Sequence, residues 1–235
     1  MAMFLRFVFM AVLAAATSPI FAQGNCPSGL PSFRGEVSFP NIMGKAVNAD
    51  WEMTRMRFVN LDDSANTSLR IASDGREFFP YFLSIVLDGK VAALEYDMTS
   101  EGYHMGGVAD IRKVLKDNSI DFVESYGKVK VANTASLSAD IEAYYIIDGE
   151  YYDVALGKYR HSIYAICPVM VKYGNLDDAT RFPLFWVMGK DIEPYLNTWF
   201  VPMANEKEYM SLAAWLSMGL YHESSPEDIT SKEEK

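Results

Sequence analysis

The chain has 235 residues, half of them hydrophobic and 14% aromatic, with 31 acidic side chains against 21 basic ones and a net charge of -10. That length and apolar content suffice for a packed core and exclude wholesale disorder. The acidity excludes a general nucleic-acid binder and electrostatic attachment to anionic lipid, while three His and two Cys exclude zinc-finger, cysteine-rich and iron-sulfur scaffolds.

The first element is an export signal over residues 1–22. A start with a single positive charge at Arg6 precedes an apolar run from Phe7 to Ala16. Thr17-Ser18-Pro19 then breaks any helix before the small residue Ala22. The run is about ten residues, short of the roughly 20 needed to cross a bilayer. The segment therefore predicts cleavage, a mature form that does not span the membrane, and a periplasmic or extracellular location. In an oxidising compartment Cys26 and Cys167, the two cysteines, pair as one disulfide. Closing so long a loop contributes about 4 to 5 kcal/mol on chain-entropy grounds. Asn66-Thr67-Ser68 is a glycosylation sequon, relevant only in a eukaryotic host.

Residues 23–35, rich in Pro and Gly, read as an irregular lead-in to a globular domain over 23–222. Strand patterns follow at 36–39, 54–60 and 68–72. Two Asp-Gly dipeptides, Asp88-Gly89 and Asp148-Gly149, each sit between apolar runs, the pattern of a two-residue type I′ hairpin. They predict hairpins over 81–96 and 141–156, with a further strand over 161–173. In the second hairpin, alternation assigns Ile141, Ala143, Tyr145 and Ile147 to a core face. Tyr144, Ile146 and Tyr151 fall on the opposite face, which is edged with carboxylates. Helices are predicted at 108–117, near 191 and at 205–221. The last has Asn205 and Glu208 in capping-box spacing. A charged tail over 223–235 has the composition of a disordered segment. The fold class is α+β, one domain with a mainly antiparallel sheet built from Asp-Gly hairpins plus a few helices.

Phosphate-loop, dinucleotide and nucleophile-elbow patterns do not occur in the sequence. His104, His161 and His222 never stand at metal-ligand spacing, and neither a metal nor a cofactor is expected. Asp62-Asp63 with Asn66 supplies loop oxygens, but not in the calcium-loop pattern. The leading expectation is an exported, non-enzymatic module that binds a protein or small ligand through Tyr144, Ile146 and Tyr151. The alternative is an exported hydrolase with a site assembled in space around His104 or His161. The third is a structural component of the cell envelope.

Overall fold

The computed structural model describes residues 32–33, 49–100, 103–155, 157–173, 179–203 and 208–224. Its strands in chain order are β1 (Ser32–Phe33), β2 (Ala49–Asn60), β3 (Ala93–Tyr96), β4 (Met105–Val108), β5 (Phe122–Ser125) and β6 (Lys128–Val131). They continue with β7 (Ile141–Asp153), β8 (Lys158–Tyr173), β9 (Ala179–Pro183), β10 (Trp186–Met188), β11 (Phe200–Pro202) and β12 (Tyr209–Ser211). The helices are α1 (Phe78–Leu87), α2 (Ile111–Asp117), α3 (Thr134–Asp140), α4 (Gly189–Leu196) and α5 (Leu212–Ser217), with a 3₁₀ turn at Ser64–Leu69.

A seven-stranded sheet in the order β2-β7-β8-β10-β3-β4, with β9 also paired to β8, forms the framework. All its pairings are antiparallel. The fold is therefore α+β with a mainly antiparallel sheet. A smaller sheet, β1-β12-β11, and a separate ribbon, β5-β6, complete the strand set. Among the described residues no helix is long and apolar enough to cross a membrane.

Neither Asp-Gly pair makes the expected hairpin. Residues 78–87 form α1, because this run is apolar on every side and a short apolar run carries no period that separates strand from buried helix. Phe78, Phe79, Phe82, Leu83, Ile85 and Val86 are all buried. Asp88 caps the helix, and Gly89 takes a positive φ of 68° just beyond it. Gly89 N–H donates to the Val86 carbonyl and Lys90 N–H to that of Ile85, the paired bonds of a Schellman stop.

Asp148-Gly149 instead lies inside β7, which runs straight through it. The β7–β8 register shifts opposite this point, pairing Ile147 with Ala165 but Asp148 with Ile163. The bulge leaves Tyr164 over Gly149, where a Cβ would overlap the tyrosine ring. Glycine is required there for close approach rather than for a turn.

Other boundaries move for local reasons. The 68–72 strand does not form: a 3₁₀ turn, capped by Asp63 accepting from the Ala65 N–H, runs through Leu69, and Ile71 makes only an isolated bridge with Glu77. The helix expected from Val108 starts at Ile111, because Asp110 accepts from the amides of Arg112 and Lys113 as N-cap. The C-terminal helix begins only at Leu212, capped by the Ser211 hydroxyl, and ends at Ser217. The signal segment, Cys26, the 36–39 strand, Asn205 and residues 225–235 lie outside the described residues.

The main core gathers where α1, α4 and α5 meet one sheet face, around Phe78, Phe82, Tyr144, Ile146, Ile163, Phe185, Trp199 and Leu212. On the opposite alternation Ile147, Ala165, Cys167 and Trp186 are buried as well. The central strands are therefore apolar on both sides.

Candidate functional site

The aromatic surface expected from alternation is not at the surface. Tyr144 and Ile146 are wholly buried and Tyr151 is 5% exposed. The Phe78 ring of α1 sits 5.8 Å from that of Tyr144, so a helix covers this face. Burial pushes the Tyr144 hydroxyl well above the ordinary tyrosine range. The other expected residues lie apart from one another. His104 stands before β4 with a positive φ of 55°, its Nδ1 3.2 Å from the Asp97 carbonyl. Its own carbonyl accepts from the Trp186 indole at 3.2 Å, making it part of a turn rather than of a cleft. Cys167 is fully buried, and burial raises its thiol pKa far above the usual range.

His161 does enter a polar cluster. Asp148 follows Tyr144 and Ile146 at two-residue spacing on β7 and is 1% exposed, so its carboxylate stands at the margin of the main core. Arg57 reaches it from β2, Nε to Oδ2 at 2.5 Å, and His161 reaches it from β8, Nε2 to Oδ2 at 2.9 Å. Tyr221, beyond α5, donates its hydroxyl to the same carboxylate and lies 3.2 Å from His161 Nε2. Burial alone would raise the Asp148 pKa. The hydrogen bonds from His161 and Tyr221, with the charges of His161 and Arg57, outweigh burial and hold it below the usual carboxylate range. Burial first, and then the Asp148 charge, pushes Tyr221 in the opposite direction, well above an ordinary tyrosine.

These residues floor an open cleft of about 500 Å³, rimmed by Glu150, Tyr159, Arg160, Ser217, Met218 and Gly219. Its cations are committed within the chain. Arg57 also meets Glu223 at 3.0 Å and Glu150 at 3.9 Å, while Arg160 meets Asp153 at 3.5 Å. A triad would require a nucleophile hydrogen-bonded to the second nitrogen of His161. His161 Nδ1 and the Ser217 hydroxyl are both buried, yet neither has a hydrogen-bond partner among the described residues. His161 and Ser217 are therefore not hydrogen-bonded to each other in this arrangement. Among the described residues no group of three or more His, Cys, Asp or Glu is placed to hold a metal ion.

What the cluster does hold is the segment that follows α5. The Asn66 amide donates to the Asn60 carbonyl at 2.8 Å and to the His222 carbonyl at 3.0 Å, and its oxygen accepts from the His222 N–H at 2.8 Å. Asn66, read from sequence as a loop ligand and as a sequon, is wholly buried in this clamp. Ser224 N–H then bonds the Phe58 carbonyl on β2 at 2.9 Å. Residues 221–224 thus form a strap: Tyr221 binds β7 and β8, His222 the 3₁₀ turn, and Glu223 and Ser224 bind β2.

A family model described as gliding motility associated protein GldN matches residues 45–224, well over half of the chain. The chain belongs to the GldN family. No curated protein matches it. The GldN match begins shortly before β2 and ends at Ser224, so it contains the whole Arg57–Asp148–His161–Tyr221 cluster and the strap.

Sequence reasoning reaches His161 but misses its partners, and the cause is physical. The Asp-Gly pattern puts Asp148 in a solvent-facing turn, while Arg57 and Tyr221 approach from 91 and 73 positions away. One signal is available: an Asp in an otherwise apolar alternating run is costly to bury unless cations and donors meet it.

Proposed function

We propose that this GldN-family chain is an exported, non-catalytic component of the machinery of gliding motility, and that it works by binding another protein. The family match across 45–224 carries this reading, because it covers the body of the chain rather than one motif within it. The chemistry of the cluster agrees. The Asp148 carboxylate takes three internal donors, and the cleft cations are paired, so these groups serve the strap. Export into the periplasm or beyond rests on the segment at 1–22.

The test is genetic. Deleting the gene from its host is expected to abolish spreading over a surface, and re-expressing the full chain to restore it. A His161→Gln/Ser217→Ala variant, verified as folded by its melting curve, is expected to restore gliding equally well. Normal gliding after deletion would overturn the motility reading. A folded but inactive variant would instead move the assignment to the hydrolase alternative, because His161 lines the cleft 2.9 Å from a carboxylate.

A further inference from the structure

The β5–β6 ribbon differs from the rest of the molecule. Among the described residues it forms no ladder with either larger sheet and pairs only with itself: Phe122 with Val131, Val123 with Lys130, Glu124 with Val129 and Ser125 with Lys128. Cross-strand partners share a face, so the ribbon divides into an inner and an outer side. On the inner side Phe122, Val129 and Val131 pack into the main core, and Glu124 is braced by Arg112 of α2 at 2.7 Å. The outer side shows Val123, 57% exposed, with Ser125, Lys128 and Lys130, all exposed.

The turn joining the strands is Tyr126-Gly127, with φ of 51° and 74° at its two central residues, the signature of a type I′ turn. That turn favours Asn, Asp or Gly at its first central position, because a positive φ penalises other side chains. Here the position holds a tyrosine that is fully exposed and so gains no burial within the chain. Local stability therefore does not account for Tyr126. Lys128 and Lys130 form no ion pair among the described residues, although the chain carries a net charge of -10.

We propose that the outer face of the β5–β6 hairpin docks a partner protein through an acidic segment of that partner. Tyr126 is the anchor, a rigid amphipathic ring of the type that dominates interface energetics. Lys128 and Lys130 meet partner carboxylates, and Val123 supplies apolar contact beside them. An acidic protein fits better than a membrane: lipid recognition uses clusters of about four to eight basic residues, and the acidic body would be repelled by anionic lipid. The proposal rests on the reading that this chain works by binding a protein, and it specifies where and with what chemistry.

The experiment places a photo-crosslinking amino acid at position 126 of the full chain, expressed in the host in place of the native copy. The expected result is an adduct to another protein, with the attachment mapped to a peptide rich in Asp and Glu. In a Lys128→Glu/Lys130→Glu background that adduct should fall at least tenfold. Tyr126→Asn, which suits the turn, should leave the melting temperature unchanged or higher while abolishing gliding. An adduct to a second copy of this chain, or to a peptide without acidic residues, would overturn the proposal. So would no adduct at all, or charge-dependent binding to phosphatidylglycerol vesicles in place of a protein adduct. Normal gliding by the Tyr126→Asn and Lys128→Glu/Lys130→Glu variants would remove the hairpin while leaving the motility reading intact. The gene deletion tests that reading separately.

Discussion

Asp88-Gly89 ends a helix, whereas Asp148-Gly149, the same dipeptide, passes through the middle of a 13-residue strand. At the first site glycine is present for its backbone, since φ is positive and a Cβ there would meet nothing within 4 Å. At the second it is present for its missing side chain, because Tyr164 occupies that space. The aspartates diverge in the same way. Asp88 is exposed beside Lys90, with a 2.8 Å contact, while Asp148 is buried and takes three donors. Identity in sequence thus translates into opposite energetics once tertiary contacts are set. A turn signal reports only that a local conformation is permitted.

Substitutions at these sites, and the response to pH, sharpen this contrast. Asp148→Asn is expected to cost the most, about 3 kcal/mol, because it leaves Arg57 beneath the strap without its nearest counter-charge. The low end of the usual range applies, as Arg57 keeps Glu223 and Glu150. Urea denaturation checks this, and a loss comparable to that of Asp88→Asn would break the comparison. Gly149→Ala should cost about 2 kcal/mol by overpacking against Tyr164. In a Tyr164→Ala background, itself destabilised by the lost ring, the added cost of Gly149→Ala should shrink, because the three nearest atoms to its Cβ all belong to that ring. Gly89→Ala should cost about 1 kcal/mol, with no rescue from any neighbour, since the penalty is conformational.

The pH dependence separates the two partners of the cluster. Asp148 has a folded pKa below its ordinary 3.8, so its contribution is present above that value and is lost as pH falls through the folded pKa. Tyr221 is raised above its ordinary 10.0, so its contribution is present below pH 10 and is lost as pH rises. Melting temperatures across pH should therefore show an acid limb flattened by Asp148→Asn and an alkaline limb flattened by Tyr221→Phe. At neutral pH the tyrosine variant should lose about 1 kcal/mol. Asp88→Ala should be the smallest change, within about 0.5 kcal/mol, because its ion pair is exposed.

The antiparallel β content, the strand over 161–173 and a helix near Asp191 were legible in sequence because each rests on local pattern. α1 was not, since Phe78 to Leu87 has no polar face to reveal a helical period. Nor was the burial of Tyr144 and Ile146, which depends on α1 returning across β7 to cover them. Of the cluster, His161 was legible as a candidate and Asp148 was not. A carboxylate's environment is decided by strands 91 and 13 positions away, and no spacing rule reaches that far.

The strap also has a mechanical meaning. A pull on the chain beyond Ser224 is met first by the Ser224–Phe58 bond, then by the Arg57–Glu223 ion pair, the Asn66 clamp and the Tyr221–Asp148 contact. These attachments lie on β2, on the 3₁₀ turn that follows it and on β7, which pairs with both β2 and β8, so the load passes into the large sheet before α5 is disturbed. Tension applied at this end is therefore carried by inter-strand hydrogen bonds rather than by a single terminal contact.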